Sequence, residues 1–266
     1  MHETASLEHS LYLKKIKQRK ILVKISQISL LAAFFGIWEA AAVIKLIDPF
    51  IFGQPSQMFK DMIFLAKEFN LLFHIRVTLG ECILGFLIST ILGTFIAMLL
   101  WWNDFLQKTL NPYLVVLNSL PKTALAPILI VWIGNNVRAV IFTAVITSII
   151  VTVLSVLTGF NEVSKDKIKL VRTFGGTKLD VLLKVVFPAS IPTIANALDI
   201  NIGLSFVGVI VGEFLVAKYG LGYLISYGSQ ILRMSWVMTS IIILCLLAAL
   251  VHRLAVALMK ACLSGR

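Results

Sequence analysis

Apolar residues in this chain gather into six runs near twenty residues long: 28–47, 82–101, 112–133, 139–157, 194–216 and 237–259. At 1.5 Å rise per residue, a helical run of that length crosses a hydrocarbon core ~30 Å thick, so each run predicts a transmembrane helix. The third is interrupted by Pro121, Lys122 and Pro127, and two prolines so close together predict a kinked or broken helix. The first run follows a polar stretch, as a signal peptide's apolar region does. It is too long for one, and its small-residue cluster, Ala40 to Ala42, lies inside the run rather than after it. It reads as a retained first span.

Composition agrees with a membrane chain. Of 266 residues, 59% are hydrophobic and only 14% charged, and the mean hydropathy is +0.94. That is too few charges to cover a soluble domain of this length. The formal charge of +11 is read as the Lys and Arg excess of cytoplasmic loops, not as a nucleic-acid footprint. With the N-terminus inside, sixteen Lys and Arg fall in interior segments and seven in exterior ones, with Lys122 inside span three unassigned. Both termini are therefore expected in the cytoplasm, together with the basic loop 159–192. The expected organisation is a cytoplasmic N-terminal segment 1–27, one permease domain 28–259 and a cytoplasmic tail 260–266, in a multi-pass protein of the cell membrane. Cys82, Cys245 and Cys262, like the four histidines, are scattered without metal or redox spacing, so no metal and no cofactor is expected.

Within the spans, small residues form rows. Gly85, Ser89, Gly93 and Ala97 recur every four positions, and Gly208 and Gly212 make a GxxxG pair with Gly203 upstream. Such rows allow helix backbones to approach, because lipid offers little hydrophobic drive for pairing. Three carboxylates, Glu39, Asp199 and Glu213, sit in or near apolar runs. A charge there faces protein, water or a partner. Asp199 and Glu213 return to within about 40° of one helix face, together with Gly203, Phe206 and Ile210. That stripe reads either as the lining of a solute path or as structural burial, with Glu213 at the outer interface.

The loop SKDKIKLVRTFGGTKLDVLLKVVFPASIP, residues 164–192, carries helix punctuation. Ser164 predicts an N-cap, Gly175-Gly176 a stop, and Thr177 with Asp180 a capping box. Leu179, Leu182, Leu183 and Val186 follow at helical spacing as one amphipathic face, closed by Pro188. Two short helices are predicted, either docking a partner or resting on the membrane surface. Between the last two spans, residues 218–231 predict a turn with interfacial aromatics, Tyr219, Tyr223 and Tyr227.

The loop's spacing resembles the EAA loop of ABC importer permeases. Lys169-Leu170-Val171 stands where that pattern has Glu-Ala-Ala, Gly175 at its glycine, and Val185-Val186-Phe187-Pro188 at its hydrophobe-x-Leu-Pro ending. LNSLPKTALAPILIVWIG (117–134), GVIVGEFLVAKYGLGYLI (208–225) and Trp38-Glu39 are similar to the sulfonate, nitrate and taurine branch of these permeases. The resemblance implies an all-α, integral membrane, type I importer permease fold of about six transmembrane helices. It implies a homodimer or a pair with a paralogue around a central path for a small nutrient, with ABC ATPase subunits and an extracytoplasmic solute-binding protein as partners. It places a coupling helix at Lys169, Leu170, Val171, Phe174, Gly175, Gly176, Thr177 and Leu179. No GxxxxGK[ST] motif occurs in the chain, so ATP hydrolysis is expected on a separate subunit and no catalytic residue here. An ion-gradient-driven secondary transporter would need intramembrane ion ligands and internal repeats, and a membrane-embedded enzyme would need clustered His, Asp or Cys. Neither pattern is visible in the sequence.

Overall fold

The computed structural model describes residues 2–264, and these fold into helices joined by short turns, with no strand among the described residues. Arg266, counted above with the tail, lies outside them. In chain order the helices are α1 (His2–Val43), α2 (Pro49–Phe52), α3 (Pro55–Glu68), α4 (Leu71–Trp102), α5 (Asp104–Ser119), α6 (Ala126–Ile133), α7 (Val137–Asn161), α8 (Lys165–Thr173), α9 (Lys178–Val181), α10 (Phe187–Val216), α11 (Leu221–Gln230) and α12 (Met234–Ser264). A 3₁₀ turn (Lys122–Leu125) precedes α6 and a π turn (Leu182–Val186) joins α9 to α10.

Five segments are long and apolar enough to cross a membrane. The pair α5 and Lys122–Ile133, bent by 87° where they meet, counts as a sixth if it forms one broken span. Leu120 at the break is extended, with ψ 140°, as a residue before proline prefers, and Pro127 occupies the first turn of α6, where its missing N–H costs nothing. The break predicted in span three is thus real, although α5 begins at Asp104 and carries Pro112 inside it.

The centre of the bundle is α7, flanked by α4 and α10. A Cβ on Gly85 would lie 2.7 Å from Ala144 Cβ, and one on Gly93 2.7 Å from Thr152 Cβ. On the other flank a Cβ on Gly208 would lie 2.5 Å from Ala144 Cα, and one on Gly212 2.9 Å from Val140 Cα. Ser89 and Ala97 are buried in the same row. The hydroxyls of Thr143, Thr147, Ser148 and Thr152 each donate to the carbonyl four residues back, at 2.7–3.0 Å, which satisfies them without water. Asn201 of α10 donates its amide to Thr152 Oγ1 of α7, a polar tie inside the bundle.

Helix ends sort to two sides. Trp102 and Asn161 end α4 and α7 beside the α8–α9 segment, whose Val181, Leu182 and Val186 share a core with Ala97, Leu100, Val156 and Phe160. On the far side Leu65, Leu71, Leu221, Leu224 and Trp236 form a second core. There Glu39 near the end of α1 accepts from Gln54 Nε2 at 2.7 Å and Ser56 N at 3.0 Å, anchoring the start of α3.

One boundary differs from the sequence reading. Pro188 does not close the second loop helix; the chain runs on as one helical rod from α9 through the π turn into α10. Widening the helix to five-residue bonding immediately before the proline accommodates the ring, which would otherwise meet the carbonyl four residues back.

The packing predicts that Gly208→Leu, driving a side chain into the α7 backbone, destabilises the folded chain by about 1–3 kcal/mol or more. Gly203→Leu, where a Cβ meets nothing within 4 Å, is expected to leave stability unchanged. Thermal unfolding of both variants in detergent micelles, followed by size-exclusion recovery, checks the contrast.

Candidate functional site

Local chemistry shapes the α8–α9 segment. Ser164 Oγ accepts from Asp166 N at 3.3 Å to start α8. Its far end closes with two bonds, Gly176 N to Val171 O at 2.9 Å and Gly175 N to Arg172 O at 3.0 Å, the Schellman arrangement that requires a left-handed residue. Gly175 supplies it with φ +80°, and a Cβ on Gly176 would fall 2.5 Å from Val171 Cγ1. Thr177 and Asp180 then form a reciprocal capping box, with bonds of 3.2 and 3.0 Å. Asp180 also pairs with Lys184 at 2.6 Å.

The segment has a seated side and a free side. Val171 packs partly against the core that holds Val181, Leu182 and Val186. Lys178, a residue with no distinctive sequence signal, donates to Trp102 O at 2.5 Å and lies 5.5 Å over the Trp102 ring, fastening the segment to the end of α4. Leu170, Leu179 and Leu183 are exposed, and Phe174 is 83% exposed; Lys169, Gly175 and Thr177 are open as well, and Gly176 is half-covered. The predicted single face of Leu179, Leu182, Leu183 and Val186 is therefore split. Leu182 and Val186 are buried and Leu179 and Leu183 are not, because the seated arc runs through Val181, Leu182, Val185 and Val186 and the predicted face straddles its edge.

The stripe predicted on α10 also divides. Asp199 is half-buried and 2.8 Å from His252 Nε2 on α12, a His partner that spacing along one helix does not reveal. Gly203 is exposed with open space where a Cβ would stand. Phe206 packs in a core with Cys82, Val140 and Ala144, Ile210 is half-buried, and Glu213 is fully buried. These five residues do not form one open face in the single chain, since α4 and α7 cover one side of α10 and α12 packs beside Asp199 and Phe206, leaving Gly203 open.

Glu213 instead organises the far side. It accepts from Thr78 Oγ1 at 2.7 Å and from Gly222 N at 2.6 Å, while Leu221 N donates to Thr78 Oγ1 at 2.8 Å. Gly220, at φ +108°, leaves room for the Glu213 carboxyl where any Cβ would collide with it. His74 Nδ1 accepts from Gly220 N at 3.0 Å, and its ring stacks on Tyr223, which stacks on Tyr227. Residues 221–230 are thus a capped helix, not the turn read from their glycines. Tyr223 and Tyr227 pack inward while Tyr219 stays exposed. Glu81, one position before the apolar run that defined span two, is a further buried carboxyl of this region.

A family model described as "Binding-protein-dependent transport system inner membrane component" matches residues 89–264. The formylaminopyrimidine transport permease protein ThiX of Halalkalibacterium halodurans is 29% identical over 70% of this chain and 74% of its own length. The taurine transport system permease protein TauC of Escherichia coli is 21% identical over 92% of each chain. Among solved structures, an inward-facing MetNI methionine ABC transporter chain superposes with a TM-score of 0.64 at 19% identity, over 73% of this chain and 98% of that one, which shows the type I importer permease fold. With more than half its length inside the family model and its helices in that fold, the chain belongs to the family of binding-protein-dependent transport system inner membrane components.

Proposed function

We propose that this multi-pass permease subunit of an ABC importer takes its driving force through the α8–α9 segment, acting as a coupling knob for a separate ATPase. The observation that carries the reading is the two-sidedness of the knob. Its buried residues are continuous with the ends of α4 and α7, while Leu170, Phe174 and Leu179 present apolar side chains outward. Exposed hydrophobes on a rigid turn are what a groove on a partner would take. A push on them moves α4, α7 and α10 together, as rigid-body rotation about an interface.

In this reading the knob, the N-terminus and the C-terminal tail are cytoplasmic, and two permease copies, or this chain and a paralogue, enclose the path. An extracytoplasmic binding protein delivers solute at the Gly220 side. The chain itself is not an enzyme: ATP binding closes the ATPase subunits, the knobs move inward, and the path opens outward. The solute is a small nutrient of the kind named for relatives, taurine or a formylaminopyrimidine among them.

Gly175→Asp places a Cβ and a carboxylate at a left-handed position. It is expected to abolish ATP-dependent uptake in reconstituted vesicles while membrane insertion stays normal; normal uptake by this variant counts against the coupling role. Replacing Leu170 and Phe174 together by Ala is expected to weaken ATPase capture by about tenfold or more, read by titrating the ATPase onto immobilised permease. A single cysteine at Phe174 is expected to react with an impermeant maleimide only in inside-out vesicles, and reaction in right-side-out vesicles reverses the orientation.

A further inference from the structure

The first half of α1 carries charge that nothing in the chain answers. Lys14, Lys15, Lys17, Arg19, Lys20 and Lys24 crowd into a short stretch, and no acidic residue stands between Glu8 and Glu39. All six are exposed, and none pairs with a carboxylate within 4.0 Å among the described residues. The helix is unbroken from His2 to Val43. Its far end is fastened to the start of α3 through Glu39, and among its described positions only Ala42 is buried. The basic end therefore has no seat on the bundle. We propose that the six cations form a collar that binds anionic phospholipid headgroups where α1 leaves the membrane, fixing the depth of a helix end that the bundle does not hold.

Length sets the depth. Residues 24–43 of the helix cover about 30 Å, the thickness of a hydrocarbon core, so Lys24 stands at its edge. Arg19 and Lys20 follow about 6–8 Å beyond, and Lys14, Lys15 and Lys17 about 10–15 Å beyond. The nearer three lie in the headgroup layer and the others within about one screening length of it, a distance their flexible stems shorten. Direction around the axis selects the partner. At 100° per residue the six spread around the whole circumference, with no gap wider than about 100°. A protein docking on a helix meets one face, whereas headgroups surround a crossing helix on every side. Ile21, Leu22 and Ile25, exposed beside Lys24, suit the acyl boundary just below. Clusters of Lys and Arg immediately beside a transmembrane helix attract anionic lipid in this way. The charge bias that orients a span acts during insertion; a collar held at this depth goes on acting in the folded protein. The inference rests on α1 crossing the membrane, and not on the coupling role of the α8–α9 segment.

Electron paramagnetic resonance of spin-labelled lipids tests it, on the full-length chain in phosphatidylcholine vesicles, comparing labelled phosphatidylglycerol with labelled phosphatidylcholine. The native chain is expected to hold phosphatidylglycerol about threefold or more over phosphatidylcholine, falling toward parity in about 0.5 M salt. Replacing all six cations by Gln is expected to remove most of that preference, whereas exchanging the five lysines for Arg, which keeps the charge, retains it. Six neutral substitutions can disturb insertion of the first span. The triple variant Arg19→Gln, Lys20→Gln, Lys24→Gln keeps three cations and is expected to lose about half of the preference. Lys60→Gln with Lys67→Gln, exposed cations of α3 on the far side, is expected to change nothing. No preference in the native chain, a preference that survives both Gln variants, or one that disappears in the Arg variant overturns the proposal. So does loss of chain–chain association in place of lipid preference, which would seat the basic end on a second copy. Titrating the ATPase onto the same vesicles reads the α8–α9 segment separately. Lipid preference without ATPase capture sinks the coupling reading alone, and capture without lipid preference sinks this one alone.

Discussion

Where Gly208 meets Ala144, a Cβ on α10 would stand 2.5 Å from the α7 backbone, and where Gly85 meets the same residue a Cβ on α4 would stand 2.7 Å from its methyl. The missing atoms let three helices close into one body around α7. In lipid the association has no apolar transfer energy to draw on, so close packing and satisfied polar groups must hold it. The α7 hydroxyls return their protons to their own helix, which leaves Asn201 to make the specific cross-tie to Thr152. Bulk on these faces would part the helices and release both ends of the molecule at once.

Both the α8–α9 segment and the far-side network around Glu213 hang on that body. At one end the knob is seated in the apolar core beside α4 and α7 and pinned by Lys178 to Trp102. At the other, Glu213 of α10 caps the start of α11 through Gly222, and Thr78 of α4 supports both. The π turn before Pro188 matters here because it keeps α9 and α10 a single rod. A helix ended at the proline would place a flexible joint between the α8–α9 segment and the span that, on the coupling proposal, it moves.

What the sequence makes legible is what local chemistry determines. Twenty-residue apolar runs give the spans, the Leu120-Pro121 and Pro127 pair gives the break, and Ser164, Gly175 and Thr177 each enforce a helix end by bonds to nearby residues. The rows of small residues also lie where helices touch, since spacing by four holds on any straight helix. Illegible were the features set by which helix lies opposite. Asp199 finds His252 on a helix more than fifty positions away, and Phe206 is buried because Cys82 and Val140 cover it. Leu182 and Leu183 part company because the core beside α4 and α7 covers only the arc through Val181, Leu182 and Val186. Glu81 escaped notice for a simpler reason: reading span two from its apolar residues starts it at Cys82, whereas α4 begins at Leu71.

The shared use of α10 ties the two ends of the molecule together. Its first residues continue the rod that carries the knob, and near its last turn Glu213 holds α11. A displacement of the knob that tilts α10 must therefore carry the α11 cap with it or break the bonds to Gly222 and Thr78. Breaking them would strip the buried Glu213 carboxyl of its donors, which is costly in an apolar surround. Movement of α11 with α10 avoids that cost, so, if the proposed coupling drives α10, the far-side helix travels with it as an extension of that body and not as an independent lid.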